Sequence, residues 1–191
     1  MKKCAQIVSI IFGFPWLSII LWLLIYKTGL IQQQVAFFSI VLPTLNIIVP
    51  FLYFIWALRK GIISDIDITK RQQRYGVMTL MLVLQLISLK LIYSLGNARL
   101  LELSLIIDAV FICTYLITLV WKISLHMTIN VIGILLFNVL FDWQHLYLLA
   151  LIPLVMWSRL FLKKHTLSQL LAGTLVSGLI MLAGFQYFNF I

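Results

Sequence analysis

Polar positions are few along this chain and come in clusters, separated by long stretches that are almost wholly apolar. The apolar runs cover residues 4–26, 35–58, 76–95, 103–121, 127–141, 143–157 and 166–190. A run of about 18 or more such residues is long enough to cross a bilayer as a helix, so five of these read as spans. The first, preceded by Lys2 and Lys3, is too long for the core of a signal peptide. It also offers no small-residue cleavage site between Phe12 and Trp22, so it reads as retained. Residues 27–34 form a short polar loop. Pro43 and Pro50 in the second span predict kinks, because neighbouring helices, hydroxyls or water can satisfy the carbonyls that a proline frees. The runs 127–141 and 143–157 turn at Asp142. Each would rise only about 22 Å as a helix, short of the roughly 30 Å hydrocarbon core. They either continue into the flanking polar residues or form a hairpin in a thinned region. The expectation is an all-α, polytopic membrane helical bundle of about six to seven transmembrane helices. No Pro, Gly or Ser-rich linker divides it, so residues 1–191 form a single domain.

Composition agrees with that class. Hydrophobic residues make up 63% of the chain and charged residues 10%, with a mean hydropathy of +1.13, which excludes a soluble globule. Cys4 and Cys113 have no spacing partner, so no disulfide framework or metal knuckle is supported. The formal net charge of +9 would suggest nucleic acid in a soluble domain. Here the basic residues sit at the ends of apolar runs, and nucleic acid is not an expected partner. They gather in three polar nodes, 65–74, 122–126 and 158–169, each separated from the next by two apolar runs. Two crossings, or a non-crossing hairpin, return the chain to the same face, so all three nodes share one side with the N-terminus. That side carries eleven Lys and Arg residues against three on the other. The positive-inside rule makes it cytoplasmic, on a multi-pass protein of the cell membrane. Trp56, Trp121 and Trp157 stand beside the nodes, either as an ordinary aromatic belt or as markers of a site at headgroup level.

Candidate chemistry lies in the nodes. His165 and Gln169 are four apart at the start of the last run, on one helix face, where the Gln oxygen can accept from one imidazole N–H and leave the other nitrogen to attack. Arg159 supplies positive charge for phosphate, while Lys163 and Lys164 read as topology anchors. In the second node, Ser124 is either a phosphate ligand or a helix cap. His126 is either a general acid or an interfacial histidine, and Lys122 adds charge. In the first node, a helical segment would put Asp67, Arg71 and Arg74 on one face, giving two guanidiniums for phosphate. A magnesium–diphosphate reading of the aspartates would need a second aspartate-rich motif. Asp108 and Lys90, inside apolar runs, are expected to pair or face the bundle interior, and His145 has no assigned role.

The third node, Ser158-Arg159, five residues, His165, three residues and Gln169, resembles the SRxxxxxHxxxD signature of the type 2 phosphatidic acid phosphatase (PAP2) superfamily, with Gln169 at the Asp position. Ser124-Leu125-His126 is similar to its PSGH signature, and residues 65–74 stand where its first, KxxxxxxRP, would fall. The resemblance implies a metal-independent, cofactor-free lipid phosphatase acting on phosphatidate, phosphatidylglycerophosphate or a polyprenyl phosphate. His165 would be the phosphoryl-accepting nucleophile and Gln169 its orienting partner. His126 would be the acid for the leaving alcohol, and Arg159, Arg74, Arg71, Ser124 and Lys122 the phosphate ligands. A lipid-phosphate-binding protein of the same fold without catalysis, or a lipid phosphotransferase, stays open. A transporter is less supported, since no matching pair of broken helices is evident.

Overall fold

Residues 1–27 and 35–191 are described in a computed structural model of the protein. Of the expected 27–34 loop, residues 28–34 lie outside the described residues. The described chain is helical throughout its apolar runs: α1 (Lys2–Ile11), α2 (Trp16–Lys27), α3 (Val35–Pro43), α4 (Val49–Arg59), α5 (Arg74–Ser94), α6 (Ala98–Val120), α7 (Leu125–Leu140), α8 (Leu151–Phe161) and α9 (Leu167–Tyr187). This is a polytopic all-α membrane protein. The expected six to seven long spans are reduced. Among the described residues, four helices are long and apolar enough to cross a membrane, or five if α1 and α2 count as one broken span.

Both reductions have local causes. The first apolar run breaks at residues 12–15, where Gly13 and Pro15 interrupt it, and α2 leaves α1 at 41°. The run before Asp142 stays short as α7, an interior helix rather than a lipid-facing one, and the run after it spends Leu146–Ala150 on a 3-10 turn before α8 begins. Eleven of the sixteen residues of α7 are buried, and a helix wrapped by protein need not match the bilayer thickness. The turn between them places Asp142 and Trp143 at φ 48° and 60°.

The fold divides into two compact units, residues 1–21 with 123–191, and residues 22–122. In the second unit, Pro43 leads into a π-helical segment, Thr44–Ile48, closed by the Val49 N–H on the Thr44 carbonyl. The Asn46 amide reaches Ser88 Oγ on α5 at 2.8 Å. The prolines thus produce a widened turn rather than a simple kink, and the polar side chain there satisfies a neighbouring helix. An antiparallel hairpin of α5 and α6 is pinned by Thr79 and Tyr115, whose hydroxyls lie 2.9 Å apart. Asn97 caps α6 by accepting from the Leu100 N–H at 3.0 Å. Asp108 is buried in α6, whereas Lys90 is exposed one turn before the end of α5, and they form no ion pair.

In the first unit, α7 and α9 run parallel. Gly173 of α9 lies against the start of α7 and Gly178 faces Val131 further along. α8 returns between them in sequence, so the N-termini of α7 and α9 and the C-terminus of α8 share one end. Helix α1 packs on α8, and Val8 and Phe12 join a core of Met127, Val155 and Leu170.

Candidate functional site

That shared end carries the polar side chains of two of the three nodes. α8 stops in a turn of Schellman form: the Lys164 N–H bonds the Arg159 carbonyl at 3.0 Å, and the Lys163 N–H bonds Leu160 at 2.9 Å. Lys163 takes the left-handed position at φ 53°, where glycine is usual. The turn delivers His165 directly to the start of α9, whose N-cap is Thr166.

Thr166 and Gln169 form a capping box. The Gln169 N–H donates to Thr166 Oγ1 at 3.4 Å, and the Thr166 N–H donates to Gln169 Oε1 at 3.2 Å. The same oxygen lies 3.2 Å from His165 Nδ1. An amide oxygen that already accepts one N–H is an acceptor for the imidazole too, which puts a proton on Nδ1. The expected pairing of His165 with Gln169 is present. The capping box also accounts for glutamine at this position, since its longer side chain reaches back to the N-cap N–H while still meeting the imidazole.

Gln169 ties the second node to the third through its backbone, its carbonyl accepting the Ser124 N–H at 3.2 Å. Ser124 is fully buried and its hydroxyl caps α7, accepting from the Met127 N–H at 3.4 Å. Capping is therefore its observed role. The start of α7 at Ser124 packs against the first two turns of α9, at Gln169 and Gly173, so the positive ends of both helices point toward the same end of the unit.

Arg159 and His126 meet on a residue outside all three nodes. Arg159, 1% exposed, donates from Nη1 to Ser9 Oγ on α1, and His126 Nε2 lies 3.3 Å from the Ser9 carbonyl oxygen. Next to it, Ser158 Oγ donates to the Ala5 carbonyl at 2.7 Å, and Asn130 Nδ2 donates to the carbonyls of Phe12 at 2.9 Å and His126 at 2.6 Å. A Cβ on Gly13 would lie 3.3 Å from His126 Nε2, so the chain passes tightly there. Ser9 and Asn130 belong to no motif. Each is, however, a polar residue within an apolar run, a placement that is costly in a membrane unless the group is partnered.

Arg71, Arg74 and Lys122 lie in the other unit. The single helical face expected for Asp67, Arg71 and Arg74 is not formed. Ile68 sits at φ 45° between them, and Asp65 folds the loop by accepting from the N–H groups of Asp67 at 3.1 Å and Thr69 at 3.1 Å. Arg74, buried, donates from Nε to the Ile68 carbonyl at 2.9 Å. Arg71 Nη1 donates to the Leu119 carbonyl at 2.7 Å. Lys122 is half-buried at the junction of the two units in sequence. His145 packs among Phe137, Phe141 and Tyr147. Among the described residues no three His, Cys, Asp or Glu side chains gather as metal ligands.

No protein-family model matches the chain, and neither a curated protein nor a solved structure matches it.

Proposed function

We propose that the protein is an integral-membrane lipid phosphate phosphatase of PAP2 type, with its site at the polar end of α7, α8 and α9 and facing the cytoplasm. The observation that carries this reading is His165 held through Nδ1 by Gln169 Oε1 at 3.2 Å, beside two helix N-termini and in the same unit as Arg159 and His126. His165 Nε2 attacks phosphorus and the lipid alkoxide leaves, taking a proton from His126. Water then attacks phosphorus as His126 takes its proton, the P–N bond breaks, and both histidines return to their starting forms. Arg159 and the N-terminal amides of α7 and α9 stabilise the charge that builds on the phosphoryl oxygens.

The test is phosphate release by the purified protein in detergent from a panel of phosphatidate, phosphatidylglycerophosphate, and polyprenyl phosphate and diphosphate. Release is expected from at least one, unchanged by EDTA and lowered at least about 10³-fold in His165→Ala. Turnover by His165→Ala close to the parent would overturn the mechanism. Gln169 within a capping box and Arg159 covered by α1 favour a second reading, lipid-phosphate binding without turnover. Saturable binding with no release from any panel lipid is its signature. A phosphorylated product appearing only when an acceptor alcohol is added would mark a phosphotransferase.

A further inference from the structure

Helix α1 sits on the two groups that a phosphate would need. Its residues Ala5 and Ser9 accept from Ser158 and Arg159 of α8, and the Ser9 carbonyl faces His126 of α7. With α1 in place the Arg159 guanidinium is buried, and its Nη1 is already given to a hydroxyl oxygen. We propose that Ser9 is a built-in occupant of the anion site, and that α1 is the lid a lipid phosphate displaces. This deepens the phosphatase reading and rests on it.

Three features fit a lid. The polar part of the latch is two side-chain hydrogen bonds to α8, one of them to the carbonyl of a fully buried alanine, and the apolar part is Val8 and Phe12 against Met127, Val155 and Leu170. The pivot is defined: Asn130 holds the Phe12 carbonyl at 2.9 Å, at the C-terminal end of α1, and the helix break follows immediately. The outer face suits the bilayer interface. Ile7, Ile10 and Ile11 are exposed on a helix that begins with Lys2 and Lys3, the pattern of a segment that lies among lipid headgroups. A phosphate oxygen is a better partner for a guanidinium than a neutral hydroxyl is. An arriving lipid phosphate therefore replaces Ser9, while α1 moves into the interface that its isoleucines already match.

Substitutions at Ser9 give opposite signs. Ser9→Ala removes the occupant's oxygen, and kcat/KM for the lipid phosphate is expected to rise about tenfold through a lower KM, the scale of one charge-assisted hydrogen bond. Ser9→Asp gives Arg159 a carboxylate, and kcat/KM is expected to fall at least about tenfold. A purely structural serine would lower activity in both variants, and a fall in Ser9→Ala overturns the proposal. A second readout needs no turnover. Ala5→Cys in a background with Cys4→Ser and Cys113→Ser places the sole thiol at a fully buried position. In phosphatidylcholine nanodiscs its maleimide labelling is expected to be slow, and to speed up at least about fivefold when phosphatidate is included. Equal labelling in both lipids overturns the lid. Absence of phosphate release by the wild type on every panel lipid, with labelling still accelerated by phosphatidate, removes the enzyme reading and leaves the lid standing.

Discussion

Gln169 does two jobs with one oxygen, accepting from the N-cap of its own helix and from His165. Gln169→Ala loses both. Unfolding in detergent is expected to show a loss of about 1 kcal/mol from the broken cap, and turnover a loss of at least about 10² from the unheld imidazole. Gln169→Glu separates the two roles. A glutamate keeps the capping box, so stability is retained, but its negative charge favours the imidazolium over the neutral nucleophile. The attacking form then requires higher pH, so the acid limb of the pH–rate profile is expected to move upward by about one unit. The pairing of His165 with Gln169 was legible from four-residue spacing alone, whereas the capping box that Gln169 closes with Thr166 emerged only from the structure. The partners of Arg159 were not. Ser9, which accepts from the Arg159 guanidinium, lies 150 positions from it in sequence, and only the packing of α1 brings it to α8.

At the scale of elements, close helix approach and turn geometry make separable demands. A Cβ at Gly173 would stand 2.8 Å from the Ser124 carbonyl oxygen and 3.1 Å from Met127 Cβ, so α7 would have to shift. Gly173→Ala is expected to cost about 1–3 kcal/mol in detergent unfolding. At Gly178 the nearest atom is Val131 Cγ1 at 3.9 Å, ordinary contact. Gly178→Ala is therefore expected to be neutral or to stabilise by up to about 1 kcal/mol. Lys163, left-handed in the turn after α8, is a turn residue by this geometry. Lys163→Gly should gain about 1 kcal/mol and keep phosphate release at the wild-type level, which would set it apart from Arg159. Hydropathy placed α5, α6 and α9 well because each is a single uninterrupted lipid-length helix. It missed the break between α1 and α2, where side chains stay apolar while Gly13 and Pro15 change the backbone. It also did not show α7 to be interior, because a helix apolar on every side looks alike in lipid and in protein.

At the scale of the whole molecule, one unit is built from both extremities of the sequence and the other from the stretch between them. The hydrogen bond from Ser158 to Ala5 joins residues 153 positions apart. During synthesis, then, α1 leaves the ribosome long before α7, α8 and α9 exist, with Ser9 and its apolar outer face uncommitted. Its partners in the folded unit come only with α7, α8 and α9, so until then it is expected to stay accessible. Arrested nascent chains carrying Ala5→Cys with Cys4→Ser and Cys113→Ser should label rapidly when the chain stops near residue 122, and become protected only once residues through α9 have emerged. Protection at the shorter length would mean that α1 finds another partner first. Assembly of the site in this sense waits on α7, α8 and α9, and defects in those helices should appear as an exposed α1.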